Sequence, residues 1–261
     1  MEINLINKTA WVFGGSRGIG KAIAVELAQA GANILLLARN SRALEKTMNL
    51  LCTKQNQEHD ILCVDMSKIE SLMDSIKNYH NKSGVDIVIN NSGGPAGGAA
   101  HMASQEEYKE AFFQHVLSAQ TVAQIAVPEM KKRGFGRIIN IISTSVKQPI
   151  IGLGVSNTIR GAMGNWSKTM ASELGPFGIT VNNILPGATE TERLSSLIDS
   201  SAIKHGSSVD LVVQKMKKDI PAGRFAKPAE IAYAVTFLCS NKAQYINGVN
   251  LPVDGGRTKS L

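Results

Sequence analysis

Residues 13–20 read FGGSRGIG, a glycine-rich turn between an apolar run at residues 9–13 and an amphipathic, helix-like stretch at 20–30. Gly14, Gly18 and Gly20 carry the spacing of a tight strand-to-helix turn in which a pyrophosphate approaches backbone amides. The helix that follows presents its positive dipole end at the same place. Glycines alone would signal only a packing turn, but the strand before them and the helix after them make the combination a dinucleotide fingerprint.

Gly31 ends that helix, and residues 33–38 read as a second buried strand. Further strands are predicted at 60–64, 85–90, 136–142 and 178–185, with a last at 248–253 and helices between them. Near-continuous apolar strands alternating with helices predict a doubly wound α/β fold, its mostly parallel sheet covered on both faces. The chain has 261 residues, 43% of them hydrophobic, and no internal repeat, so one domain spanning 1–261 is expected. The stretch 189–219, after Pro186 and Gly187, is predicted as a lid over a ligand, with a variable surface excursion as the other reading.

The formal charge of +7 is dispersed, and its densest run, Lys131 to Arg133, reads as a solvated helix end. A nucleic-acid partner is therefore not expected. Cys52, Cys63 and Cys239 are odd in number and lack ligand spacing, which predicts buried thiols in a reducing cytosol and no metal. No apolar run approaches the roughly 20 residues that cross a bilayer, and no leader is recognised, so a soluble cytoplasmic protein without a membrane partner is expected.

The second strand ends in Arg39 and Asn40, where an acid would accept from an adenosine ribose. Arg39, with Arg17, is a candidate to meet a 2′-phosphate, which favours NADP over NAD. Asp65 follows the third strand and is read either as an acceptor for the adenine amine or as a turn aspartate. Asn91 and Gly93, in the strand exit NNSGG, are placed against the cofactor, as are Ser16 and Ile19 of the first turn.

Taken in order, these motifs resemble the short-chain dehydrogenase/reductase family, above all its branch of 3-oxoacyl-carrier-protein reductases. FGGSRGIG is similar to that family's TGxxxGIG loop, NNSGG to NNAGG, and INI-IST to the strand carrying the active-site serine. LPGATET at 185–191 is similar to the segment that closes on nicotinamide, IPAGRFAKPAEIA at 220–232 to the helix entry after the lid, and NGVNLPVDGG to the end of the fold. The resemblance implies seven strands in a Rossmann-type three-layer sandwich. It adds Pro186, Gly187, Thr189, Thr191 and Arg160 to the cofactor residues. It also implies a homotetramer, or at least a homodimer, built through helices at 107–133 and 157–174 with 247–256 at a second contact.

The family places a serine on the fifth strand, a tyrosine thirteen residues later, a lysine four beyond that, and an asparagine on the helix before. The matching positions here are Ser143, Ser156, Arg160 and His115. A tyrosine with a reference pKa near 10 is poised by a cation to pass a proton during hydride transfer, whereas a serine hydroxyl is a much poorer acid. Arg160 stays protonated; it suits ribose hydroxyls and an oxyanion, or else serves as an ion partner on the helix. Ser143 is read as the carbonyl-binding group or as a cap on the local backbone, and Ser156 as a small polar substitute. His115, with a reference pKa near 6.5, is read as the replacement proton donor or as a hydrogen-bonded helix residue. The leading expectation is an atypical NADP-dependent oxidoreductase moving hydride to or from a small carbonyl or alcohol substrate, 3-oxoacyl thioesters included. A catalytically inactive NADP-binding subunit and a non-redox lyase or dehydratase remain as alternatives.

Overall fold

The computed structural model describes residues 3–260. Strand β1 (Thr9–Phe13) alternates Ala10 and Val12 toward one helical layer with Trp11 and Phe13 toward the other, and β2 (Asn33–Ala38) repeats the pattern with Ile34 and Leu36 against Leu35 and Leu37. A strand buried on both faces needs helices on both. The remaining strands are β3 (His59–Cys63), β4 (Ile87–Asn90), β5 (Gly136–Ile141), β6 (Ile179–Pro186) and β7 (Asn250–Val253). All seven pair in parallel in the order β3-β2-β1-β4-β5-β6-β7. Helices α1 (Gly18–Gln29), α2 (Ser41–Met48), α3 (Ile69–Ser83), α4 (Gln105–Phe112), α5 (Ser118–Arg133), α6 (Gly154–Leu174), α7 (Glu192–His205), α8 (Val209–Lys218) and α9 (Pro228–Cys239) fill the connections. α1 and α9 supply one apolar layer; α3, α5 and α6 supply the other. The strand order reverses between β1 and β4, and in such sheets a ligand crevice opens at the carboxyl ends beside that switch.

Predicted strand bounds are met to within one or two residues. β4 begins at Ile87 rather than 85 because Asp86 is turned to local work: it accepts from the Thr9 amide at 3.0 Å and ion-pairs with Lys8 and Arg133. Arg133 therefore closes a specific contact at the helix end, beside a bond to Glu129. The helix expected over 107–133 is not continuous. A five-residue π-turn, Phe113–Leu117, separates α4 from α5 and carries His115 and Val116 inward. Such a bulge inserts one residue per turn, which re-aims side chains without breaking the rod. The thiols also depart from expectation: Cys239 is buried, Cys52 is half-buried, and Cys63 is exposed, its S–H donating to the Arg39 carbonyl at 3.1 Å.

The stretch 189–219, expected as a lid or else a surface excursion, contains α7 and α8, which carry their own small core of Leu194, Ile198, Ile220 and Phe225. A ladder of asparagines at matched register crosses the sheet. Asn90 donates to Asn140 at 2.8 Å, Asn140 to Asn183 at 3.0 Å, and Asn183 to Asn250 at 2.7 Å, so one chain of amides crosses β4, β5, β6 and β7. Asn140 also donates to Ser167 of α6 at 2.9 Å. Asn140→Leu keeps the branched shape but leaves the buried Asn90 amide without its acceptor and Asn183 with Ser167 as the one remaining donor to its Oδ1. Urea unfolding is expected to show a loss of about 2–4 kcal/mol.

Candidate active site

The glycine turn is shaped by what a side chain would hit. Gly14 and Gly18 have φ of +63° and +54°, the left-handed region. A Cβ on Gly14 would lie 2.6 Å from the Asn91 carbonyl oxygen, and one on Gly20 would collide with the Gly14 carbonyl oxygen. Asn91 fastens β4 to this turn by donating to the Phe13 carbonyl at 3.2 Å. Ser16 accepts from the Thr47 hydroxyl at 3.2 Å, and Ile19 packs on the core. The N-cap of α1 is Arg17, extended and without a side-chain cap, so the first amides of α1 are not covered by a side chain. Uncovered amides at a helix start, with no Cβ in the approach, form a cradle for an anion.

The first turn of α7 lies against this cradle. Arg17 pairs with Glu192 at 2.8 Å, a Cβ on Gly18 would stand 3.3 Å from the Thr191 methyl, and Arg193 donates to the Pro95 carbonyl at 3.1 Å. Thr191 caps α7 and donates to Thr189, which donates to Gly187 at 3.0 Å, so the stretch after Pro186 is folded into a brace. Arg17, a candidate for the 2′-phosphate, makes here an exposed ion pair with Glu192. At the other end, Asn40 spends its side chain as the N-cap of α2, accepting from Ala43 at 3.0 Å. Asp65 accepts through Oδ1 from the Ser67 amide at 3.0 Å and hydroxyl at 2.8 Å. Its desolvation alone would raise the carboxyl, but those bonds and the Arg39 and Lys68 charges outweigh it and hold the pKa below the usual range. Arg39 and Arg42 are exposed, and among the described residues neither guanidinium makes a hydrogen bond or ion pair. Arg42, one helical turn from Arg39, was not anticipated; the spacing R-x-x-R is the signal for it.

At the end of β5, Ser143 is half-buried and accepts from the Ser145 amide at 3.1 Å. Ser156 and Arg160 lie one turn apart on α6. Arg160 is 6% exposed, donates to the Ile141 carbonyl at 3.3 Å, and places its other amino group 3.7 Å from where a Gly94 Cβ would stand. No carboxylate pairs with it among the described residues. His115 is 4% exposed and lies 2.6 Å through Nδ1 from the hydroxyl of Ser92. His115 Nε2, Arg160 Nε and Asn90 Oδ1 are buried without hydrogen-bond partners in the protein. All three residues line one cavity of about 10 Å³, the room of a single water. His101 stands apart, exposed on a short turn. Among the described residues no cluster of three or more His, Cys, Asp or Glu is placed to hold a metal, and no helix is long and apolar enough to cross a membrane.

Residues 14–258 match the family model described as enoyl-(acyl carrier protein) reductase. The chain belongs to the short-chain dehydrogenase/reductase family. It is 31% identical over 257 residues to 3-oxoacyl-(acyl-carrier-protein) reductase of Aquifex aeolicus, covering 98% of this chain and 99% of that one. It is 30% identical to the NADPH-dependent reductase BacG of Bacillus subtilis, covering 97% and 99%. The crystal structure of L-sorbose reductase from Gluconobacter frateurii, complexed with NADPH and L-sorbose, superposes with a TM-score of 0.93 at 31% identity over the whole of both chains. This short-chain dehydrogenase/reductase is accordingly an NAD(P)-dependent oxidoreductase of the carbonyl/alcohol class.

In this short-chain dehydrogenase/reductase the electrostatics correct one expectation. Burial, and then the Arg160 cation, push the His115 imidazole down to about 2, so it is neutral at neutral pH and holds no titrating proton there. The physical reason is the π-turn, which carries the ring inward beside a buried guanidinium that burial itself lowers only to about 10. The unfolded chain binds the proton near an ordinary pKa of about 6.5, which the folded state refuses. Stability is therefore full above about pH 6.5 and falls as pH drops from there toward about 2, by at most about 1.4 kcal/mol per pH unit from this group. Denaturant titrations of His115→Gln between about pH 4 and 6.5 are expected to show a shallower pH slope than the intact protein; equal slopes would remove the imidazole from the acid response. Ser92, which fixes the ring, was read only as part of a glycine-rich exit.

Proposed function

We propose that the chain is an NADP-dependent carbonyl reductase in which a fixed buried cation and water stand in for the family's tyrosine and lysine. The carrying observation is an intact anion cradle, with two unpaired arginines beyond β2, joined through Asn91 against Gly14 to the Gly94 backbone beside the buried Arg160. The residues fit the cofactor: the amides of α1 suit the pyrophosphate, Arg39 with Arg42 suits a 2′-phosphate, and Asn91, Gly93, Thr189 and Thr191 line the path toward Ser143. Two of the relatives are described with NADPH, which supports the same choice. With the cofactor held there, its reduced nicotinamide would supply the hydride. The Ser143 hydroxyl donates to the carbonyl oxygen and orients it. Arg160, charged at any physiological pH, lowers the energy of negative charge on that oxygen from its buried position. Since His115 is neutral and a serine is a weak acid, water reaching Ser143 and Ser156 delivers the proton. The helix pair over 189–219 acts as the lid, held to the cradle by Arg17–Glu192.

NADPH oxidation by the purified protein on β-keto thioesters, quinones, simple ketones and aldehydes tests this reading. Ser143→Ala is expected to lower kcat by about a hundredfold while NADPH affinity holds, since its contact is with substrate. Arg39→Ala is expected to narrow a preference for NADPH over NADH in calorimetry by about tenfold, the loss of one charge-assisted contact. Equal binding of both nucleotides by the intact protein would reject that assignment. The same scaffold supports a second reading, an NADP-binding subunit without catalysis, because Arg160 is engaged with the Ile141 carbonyl; NADPH binding with no turnover on the whole panel would select it. We also assign a cytoplasmic homotetramer. Exposed Phe112 and Phe113 on the helix before α5, and fully exposed Tyr245 near the last strand, are apolar groups that a symmetric contact would cover.

A further inference from the structure

A cleft of about 880 Å³ lies apart from the cradle and the buried Arg160. It begins at Thr144, the residue after Ser143, and runs between the loop that follows β5, helices α7 and α8, and the carboxyl-terminal tail. Its walls are apolar at Pro149, Ile150, Ile151, Leu211, Val212 and Met216. Ile151 and Leu211 are 102% and 57% exposed, which leaves a large oily surface open to water. Against these walls stand two cations, Lys215 and Arg257, with His205 and a single acid, Asp219. Among the described residues neither Lys215 nor Arg257 makes a side-chain hydrogen bond or an ion pair. Arg257 is half-buried. The other guanidiniums near the site are engaged, Arg17 with Glu192, Arg193 with Pro95 and Arg224 with Glu230.

The backbone under Arg257 is fixed. Asp254 accepts from the Gly256 amide at 3.0 Å and the Thr258 amide at 2.8 Å, and Gly255 accepts from Ala222 at 3.1 Å. Gln148 of the opposite wall accepts from the Lys259 amide at 3.2 Å. The tail is thus bound on both sides of Arg257, so the guanidinium is presented by a held turn and loses little freedom when an anion arrives. A planar guanidinium pairs with a carboxylate through two parallel bonds, and a nearby apolar wall strengthens that pairing by excluding water.

We propose that the cleft is a substrate site for a carbonyl compound with an apolar body ending in an anionic group, with Arg257 and Lys215 as the residues that select it. This rests on the reductase reading above. The carbonyl end lies toward Ser143, the body along Ile150, Leu211 and Met216, and the anion on Arg257. A cleft of this volume holds a medium-sized organic ligand, whereas a short polyol would leave the apolar walls wet.

The test compares oxodecanoate, a medium-chain acid with its ketone beside the terminal methyl, with its methyl ester, titrated calorimetrically into the NADPH-loaded protein. The acid is expected to bind at least about tenfold more tightly than the ester. Arg257→Ala and Lys215→Ala are each expected to reduce that ratio, Arg257→Lys to restore part of it, and Lys218→Ala, exposed on α8 outside the cleft, to leave it. Equal binding of acid and ester, binding of neither, or an acid preference that survives Arg257→Ala with Lys215→Ala would overturn the assignment. Acid-selective binding lost in those variants supports it even if neither compound is reduced, in which case the reductase reading alone fails. Reduction of both compounds without selectivity overturns the cleft assignment and leaves that reading standing.

Discussion

Restoring the family pair, Ser156→Tyr together with Arg160→Lys, is expected to raise kcat for ketone reduction by about two to four orders of magnitude, the range that a positioned general acid contributes. The two positions lie one turn apart on α6, so a phenol at 156 sits over an ammonium at 160 without any change of register. A phenol with a reference pKa near 10, lowered further by that cation, gives a proton to an alkoxide far more readily than a serine or water does. Ser156→Tyr alone is expected to recover less, because Arg160 is tied to the Ile141 carbonyl and remains a fixed charge rather than a proton carrier. Ser156 is half-buried, while Arg160 is buried at 6% exposure. Thermal melting of each variant separates a damaged fold from a changed site. If the double variant folds, binds NADPH and shows no gain in kcat, proton delivery is not what limits the reaction.

Gly20→Ala is expected to weaken NADPH binding by about a hundredfold, equivalent to about 2.7 kcal/mol, and to cost stability besides. Two effects compete. Gly20 lies within α1, and alanine is favoured over glycine in a helix by about 0.8–1.0 kcal/mol. Against this, the new Cβ would strike the Gly14 carbonyl oxygen and come within 2.6 Å of the Asn91 side-chain nitrogen. Overpacking of this kind costs about 1–3 kcal/mol, and here one obstacle is backbone that has no rotamer to change. The collision wins, and the turn must open, taking with it the Asn91 bond to the Phe13 carbonyl and the aim of the α1 amides. Gly161→Ala on α6 is the counterpart. Nothing lies within 4 Å of its Cβ, so the helix term stands alone and a small gain in melting temperature is expected.

Much of this architecture was legible from residues whose meaning is local. The glycine turn, the double-faced apolar strands and the R-N step after β2 each report a short-range constraint, and together they placed the sheet, the cradle and the nucleotide end. The features that escaped are those in which two distant segments meet. The asparagine ladder exists only because four strands share a register, and no window of the sequence contains more than one rung of it. The pairing of Ser92 with His115 joins the exit of β4 to a π-turn, and that turn also gives His115 the burial that silences it as an acid. Arg17 is read with Arg39 as a 2′-phosphate candidate because no acid ends the second strand; its contact with Glu192 depends on how α7 returns to the cradle. The cations of the cleft lie in segments that carry no motif.

The central claim is the proposed hydride transfer with Ser156 and Arg160 at the positions matched to the family's tyrosine and lysine, and isotopic transfer reads it directly. NADPH deuterated on the transferring face of nicotinamide C4, incubated with the purified protein and oxodecanoate or a simple ketone, is expected to yield an alcohol carrying deuterium on the carbinol carbon, one atom for each NADPH oxidised. Alcohol without deuterium, or consumption of substrate with the cofactor unoxidised, would contradict it.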